Sequence, residues 1–575
     1  CFRHPHRGTQ QQPAGPPIPT HPPRTSRSSA AATRAHFHPG RPAGLLPRGS
    51  NTRGGRCRAV EEEAEFKVPP ASEDGFYWAS SLSIRDDLTK CLVECKVDID
   101  NQIANQETKP DLAVVFVSSR FQEDYDIIIP FLQREFPSLK AIIGCSGYGV
   151  AGSLYESPGQ RRAAEVELRP ALSIAVGGLP GVKLKTFQLS SNNLPDGDSP
   201  PLAWAQRIKV PLAGGETRPT EVPHFMLMPS PIMPRMMEAL SGLDYAYPAS
   251  TKIGGLPASG RQTEPWIAFA ATKTGIDIDE DYDVVGKWEM QETDTELIGL
   301  SMRGGIEVEP LVAQGCRQVG ERFTITGCGA GSSGVMTEIT LESGEVASPL
   351  LYLMDLSNGM EAGERQSMEM SCMVAIDRAP LKAEPATGDF LVRPIGQVDA
   401  VTGAMQVGAL LTKGMRGKFV VRDRRGALED LESSAAAYKR AELLRSLPSP
   451  EEGARRMVTR PFGAVMFSCA GRGHELFEED AVDSNVFLKY CPVPLAGAHV
   501  NGEIGPTGEA THLHQFTAVY GILRGVPYGE MLADVMRQAE EAEEAAARGA
   551  GGGAPGGDAP GGGEEVPPAA PGPEA

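Results

Sequence analysis

The sequence predicts an α/β fold, with two linked lobes whose mixed parallel and antiparallel sheets are covered by helices. Three observations carry this prediction. Short, continuously apolar, β-branched runs such as Leu112–Val117 read as strands buried on both faces. Segments of helical spacing follow such runs and lead into new strands within about thirty residues, the span of a parallel βαβ unit with a right-handed crossover. The arrangement occurs twice, early and late, with a β-rich stretch between whose Gly/Pro/Asn/Asp turns imply antiparallel pairs.

In chain order, Ser83–Ile103 is expected as a covering helix containing Cys91 and Cys95. Leu112–Val117 is a strand. Tyr125–Phe136 places Ile128, Phe131, Leu132 and Phe136 at helical spacing, with Pro130 tolerable only in a first turn. Leu139–Ile143 is the next strand. Further strands are read at Ala171–Val176, Val182–Leu189, His224–Met228, Trp266–Ala271, Glu296–Met302 and Glu321–Thr326. A seam is placed between Met360 and Asp389, where Glu, Gly and Pro interrupt the pattern. Leu428–Leu447 is a long helix ended by Pro448. Phe462–Cys469, Glu475–Leu488 and Val493–Val500 form the late strand-helix-strand unit.

The 575 residues are enough for two or three domains. A net charge of -19 argues against a whole-chain nucleic-acid or anionic-membrane partner, which would want a basic field. No apolar run approaches the ~18 residues of a membrane span. Ten cysteines in this length do not make a disulfide scaffold.

The two ends have their own composition. Residues 1–60 hold ten Arg and ten Pro and no Asp or Glu. That is the composition of an organelle transit peptide, its Ala/Ser/Pro content leaning to a chloroplast, as in a green alga or plant, with mitochondrion the alternative. Residues 61–75 read as a linker. Residues 526–549 include an expected helix, Met531–Arg548, whose apolar stripe fades; a solvated terminal helix fits it better than a protein-partner contact, which is the alternative. Residues 550–575 are Gly/Pro/Ala-rich and expected to be disordered.

Several motifs carry little chemistry. Gly329-Ala-Gly-Ser-Ser-Gly334 matches GxGxxG, but Val335–Leu341 alternates as a strand, so a hairpin loop fits better than a dinucleotide fingerprint. Cys91 and Cys95 lack a second ligand pair for zinc. His512 and His514 share a strand face and could meet Glu503 or Cys491 at a metal, though ordinary sheet histidines fit the pattern better. Neither a metal nor a cofactor is expected.

Two glycine-bearing segments are more informative. Gly144-Cys145-Ser146-Gly147 follows a buried strand, and open α/β sheets bind ligands at the carboxyl ends of their strands. Cys469-Ala-Gly471-Arg472-Gly473 ends another strand, and Asn501-Gly502-Glu503 follows the next one. Glycines leave amides free to donate. A guanidinium suits a carboxylate and Glu503 suits an ammonium, so the set would fit an amino-acid-like zwitterion. Arg472 and Glu503 pairing with each other to brace two loops is the plainer alternative. Cys145 or Cys469 as a nucleophile beside glycine amides is a third, and only five histidines remain after residue 60 to serve it.

These segments, in this order, resemble the FIST family, whose N-terminal and C-terminal domains occur in tandem. In the first half the resemblance rests on Asp111–Val117, Ile143–Ser146, Ile253-Gly254-Gly255, Leu297–Leu300 and Val312–Arg317. In the second it rests on Phe390–Arg393, Val421–Asp423, Phe467–Gly473 and Gly502–Gly505. It implies a FIST N-terminal domain over 76–360 and a FIST C-terminal domain over 361–525. It also implies a small-ligand sensory role in signal transduction, with amino acids or related carboxylates as ligands. Gln318 and Ala498-His499 depart from the family pattern, the latter in the wall of the expected pocket.

Overall fold

A computed structural model describes residues 75–157, 160–213, 219–260, 265–278, 284–293, 296–329, 334–377, 390–447 and 459–526. The expected transit peptide, the linker, the Met531–Arg548 helix and the Gly/Pro-rich tail lie outside these residues, as does most of the Gly329–Gly334 loop.

The chain opens with β1 (Tyr77–Ser83) and α1 (Leu88–Ile103). Asp87 caps α1 by accepting the Lys90 amide at 2.9 Å. The helix expected from Ser83 therefore starts later, and the residues before it form a fully buried strand. Three serines hide that strand in the sequence; Ser80 Oγ donates to Ser153 Oγ at 3.3 Å and Ser83 Oγ donates to Glu94. Next, β2 (Leu112–Ser118), α2 (Ile128–Glu135) and β3 (Ala141–Gly147) form the expected parallel unit. Pro130 sits in the first turn of α2, where amides have no helical partner anyway.

There follow β4 (Gly149–Ser157), β5 (Gln160–Glu167), β6 (Leu172–Gly178), β7 (Lys183–Leu189) and α3 (Pro201–Ile208). A further parallel unit, β8 (His224–Pro229), α4 (Met236–Ala246) and β9 (Lys252–Gly255), was visible in the sequence only as its first strand. The antiparallel stretch continues through β10 (Ala268–Ile278), β11 (Val284–Thr293), β12 (Leu297–Arg303), β13 (Ile306–Ala313), β14 (Cys316–Cys328), β15 (Val335–Leu341) and β16 (Val346–Ala347). The expected hairpin between β14 and β15 is present; Gly329 N donates to Val335 O at 2.9 Å.

Then come α5 (Pro349–Asn358), α6 (Ala362–Ser371), β17 (Cys372–Asp377), β18 (Phe390–Val398), β19 (Met405–Val407), β20 (Arg416–Arg422) and α7 (Arg424–Arg445). The late unit is β21 (Pro461–Cys469), α8 (His474–Phe477), α9 (Val482–Tyr490) and β22 (Leu495–Val500), and β23 (Glu503–Thr507), β24 (Ala510–His514) and β25 (Ala518–Gly525) complete the described chain. The helix expected over Glu475–Leu488 is two helices, because Glu478 and Ala481 both take left-handed backbone, at φ 56° and 57°.

The mixed α/β class expected from the sequence is what the structure shows. A twelve-stranded sheet runs β11-β10-β3-β2-β6-β1-β4-β22-β21-β25-β13, with β5 paired to β4. A six-stranded sheet runs β24-β23-β9-β8-β12-β7. Large-sheet residues such as Phe116, Val465 and Phe467 pack against Met226, Ile253 and Leu300 of the smaller sheet. α1 and α2 cover the other face of the large sheet at one end, and α7 and α9 cover it further along. α3 and α4 cover the small sheet. The third sheet, β14-β20-β17-β18-β19-β15, closes on itself through β14–β15 pairing into an antiparallel barrel with β16 at its side. The expected seam near 360–389 is thus not a gap in the fold, since strands from both sides of it build one barrel.

Candidate functional site

The two strand-helix-strand units meet end to end. Only Tyr148 separates β3 from β4, and its amide donates to His499 O at 2.9 Å. β4 pairs antiparallel with β22, with Gly149 opposite His499. The carboxyl end of β3 therefore faces the carboxyl end of β22. The segment after β9 ties the two together: Ala258 N donates to Ser146 O at 3.0 Å, and Leu256 N donates to Gly502 O at 2.9 Å. Asn501 returns its own amide to Leu256 O at 3.0 Å and its side-chain amide to Pro257 O at 3.3 Å.

The residues expected as a ligand loop after β3 are part of the strand. Gly144, Cys145, Ser146 and Gly147 are all buried within β3. Ser146 Oγ donates to Ala258 O at 3.1 Å and accepts the Ile267 amide at 3.0 Å. Gly144 is required by close approach, because a Cβ there would lie 2.5 Å from Val115 O and 2.6 Å from the Phe269 ring. These amides are spent on sheet and loop bonds and do not form an open anion cradle.

The second segment is chemically richer. Arg472 is fully buried and donates Nε and Nη2 to the two oxygens of Asp483, at 2.8 and 2.7 Å. Its Nη1 reaches Phe516 O at 3.3 Å. Asp483 also accepts Ser468 Oγ at 2.7 Å, and its backbone carbonyl accepts the Tyr520 hydroxyl at 3.1 Å. Burial disfavours both charges, but their mutual attraction outweighs it: the Arg472 guanidinium is pushed up and the Asp483 carboxyl down. Arg472 is therefore neither an open carboxylate fork nor a brace to Glu503. Its partner comes from the first turn of α9.

Glu503 remains next door. One oxygen accepts the Thr517 amide at 3.0 Å, while Oε1 is buried with no hydrogen-bond partner among the described residues. Burial pushes its carboxyl well above the usual range, against the pull of Thr517, Cys469 and Arg472. Burial and then Glu503 push the neighbouring Cys469 thiol up to about 12. Burial alone pushes Cys145 to about 12. An activated nucleophile would be shifted the other way.

Sequence reasoning missed His499 as a charged group. Its Nε2 lies 3.2 Å from Glu165 Oε2, an ion-pair contact between two buried side chains, and neither ring nitrogen makes a well-aligned hydrogen bond among the described residues. Burial lowers its pKa, but Glu165, Glu167 and Asp483 together raise it to about 9. Glu165 and Glu167 stand two residues apart on β5. Glu165 accepts the Ser484 amide at 2.7 Å and Glu167 the His474 amide at 2.8 Å, so the first half caps α9 and α8 of the second. The only local sign of this was His499 itself, a departure from the family pattern. The carboxylates were invisible because they lie far away along the chain.

The histidine pair on β24 does not build a metal site. His514 Nε2 lies 3.1 Å from Gly505 O, and burial pushes its ring down to about 3. Cys491 packs in the α9 core instead. No group of three or more His, Cys, Asp or Glu is placed to hold a metal among the described residues.

Comparison with known families matches residues 111–340 to the FIST N domain and residues 351–506 to the FIST C domain. This is a tandem FIST-domain protein. An uncharacterized protein of Mycobacterium tuberculosis (strain CDC 1551 / Oshkosh) is 26% identical over 438 residues, covering 76% of this chain and 97% of the relative. An uncharacterized protein of Mycobacterium bovis is 25% identical over 435 residues, covering 75% of this chain and 95% of the relative. The end-to-end junction therefore joins the FIST N and FIST C domains. FIST domains are associated with signal transduction and small-ligand sensing. No helix among the described residues is long and apolar enough to cross a membrane.

Proposed function

We propose that this FIST protein is a small-molecule sensor whose ligand is read at the N–C junction, with Glu503, Cys469 and Asn501 around it. The observation that carries this is the unpartnered Oε1 of a fully buried Glu503 at the meeting point of two strand-helix-strand units. Buried polar atoms are nearly always paired, and an orphan at such a place marks a group that a ligand can satisfy. Amino acids are the ligand class: an ammonium suits Glu503, and taking it up drives the proton off the carboxyl. Entry requires the Leu256–Gly260 and Gln515–Thr517 segments to part, which gives binding a way to alter how the domains meet. To signal, the ligand must distinguish the two arrangements by about 1–3 kcal/mol.

A thermal-unfolding screen of amino acids tests the proposal. A true ligand at ~100 times its dissociation constant stabilises the fold by about 2.7 kcal/mol. The response should strengthen as pH rises and disappear in Glu503→Gln. An unchanged response in that variant removes Glu503 from the site.

We also infer from composition that residues 1–60 address the protein to a chloroplast, with mitochondrion the alternative, and that residues 531–548 offer a helix to a protein partner. Fusion of residues 1–60 to a fluorescent protein in algal cells tests the address; a cytosolic signal refutes it. Co-purification with and without residues 531–575 tests the partner.

A further inference from the structure

One face of the barrel packs against Phe516, in the turn between β24 and β25. On that face Met373, Phe390, Val392 and Val420 are buried, with Cys316 and Phe516 packed against them. β20 alternates across the barrel wall: Phe419 and Val421 belong to the barrel core, which leaves Lys418, Val420 and Arg422 on the outer face. β14 sets Arg322 directly opposite Lys418. Like charges directly opposite on neighbouring strands repel. Both lie over a single ring, Lys418 Nζ at 4.2 Å and the Arg322 guanidinium at 5.9 Å from the centre of Phe390. Further along β20, the Arg422 guanidinium stacks 4.1 Å from the Phe516 ring and gives one N–H to Gly471 O at 3.1 Å.

Among the described residues, no carboxylate forms an ion pair with Arg322, Lys418 or Arg422. The acid that acts on Lys418 is Asp430, which accepts the Gly315 amide at 2.8 Å and whose carboxyl burial pushes up. Half-buried cations placed opposite each other, on an aromatic floor and with no carboxylate in ion-pair contact among the described residues, are what a bound anion would relieve.

We infer that this face of the barrel is a binding site for a small oxyanion, a carboxylate or a phosphate, held by Lys418 and Arg322 over the Phe390 ring, with Arg422 adding to the field. It uses none of the groups assigned to the N–C junction ligand, although Arg422 and Glu503 both touch the Phe516-Thr517 segment.

The test is a titration of the full chain with inorganic phosphate and, separately, with succinate, at ionic strength held constant with sodium chloride, reading the midpoint of thermal unfolding. A saturable rise with either anion is expected. Phosphate alone would assign a phosphate ligand, and succinate alone a carboxylate. Lys418→Gln, which keeps an unbranched polar side chain and removes the charge, should weaken the apparent affinity about tenfold or more. Arg322→Gln repeats the test from the neighbouring strand should the first variant fail to fold. Glu503→Gln should leave the anion response intact, which separates this site from the junction. A rise no larger than that with chloride, or one retained in both charge-removing variants, overturns the inference.

Discussion

Arg472 shows why residue type alone misleads about role. Its fork binds a carboxylate, as its chemistry invites, but the carboxylate is Asp483 of the same chain. Removing one member of a buried pair leaves a bare charge, so Arg472→Ala should cost about 3–5 kcal/mol in urea unfolding. The double variant Arg472→Met/Asp483→Leu should cost clearly less; equal losses would mean the pair is not the unit of stability. His499 allows a second test. Its folded pKa, about 9, is raised above the ordinary histidine value of 6.5. Its stabilisation is therefore fully present below about pH 6.5 and lost as pH rises through about 9, on the order of 3 kcal/mol. Glu503 works in the same direction, since its folded pKa is also raised; its share is present below the usual carboxylate range and lost as pH rises through the folded value. Unfolding free energies between about pH 6 and pH 9.5 should fall in the native protein and fall less in His499→Gln. An undiminished slope would place the effect elsewhere. The residue types at the junction were thus legible from the sequence, and their pairing was not, because Asp483, Glu165 and Thr517 reach it by tertiary approach.

Among elements, continuous apolar runs were read correctly because a strand buried on both faces has no polar alternation to disguise it. β1 escaped notice because its serines find partners only after folding, and β9 is too short to show a pattern. The Gly144–Gly147 stretch looked like a loop, yet its small residues serve a strand pressed against Phe269. Gly144→Ala should therefore destabilise by about 1–3 kcal/mol through overpacking. A loop position would tolerate it, so a neutral effect on the unfolding midpoint would contradict the packing described here. The break between α8 and α9 makes the opposite prediction. Glu478 is exposed and holds φ 56°, a conformation that costs a side-chain-bearing residue about 1–2 kcal/mol. Glu478→Gly should raise stability by about 1 kcal/mol, with little lost from its exposed pairing to Arg424.

For the whole molecule, the tandem domains divide the sequence more cleanly than they divide the structure. The FIST N domain supplies β4 to pair with β22 and β13 to pair with β25, while β23 of the FIST C domain pairs with β9. Residues 62–350 expressed alone should lack these partners and aggregate through the open edge of β4 and the stranded β13. Co-expression with residues 351–575 should restore a soluble complex by size exclusion; a soluble, folded first half on its own would show that the shared sheets are dispensable. Periodicity could not announce this interleaving, since it reports what each segment is and not which distant segment lies beside it. The position of β13 also bears on how the protein is made. That strand leaves the ribosome well before β25, its sole hydrogen-bonded neighbour in the sheet among the described residues, has been translated. The nascent chain must shelter Ile306–Ala313 through the synthesis of the entire barrel and α7, so biogenesis should be slow and lean on holding chaperones.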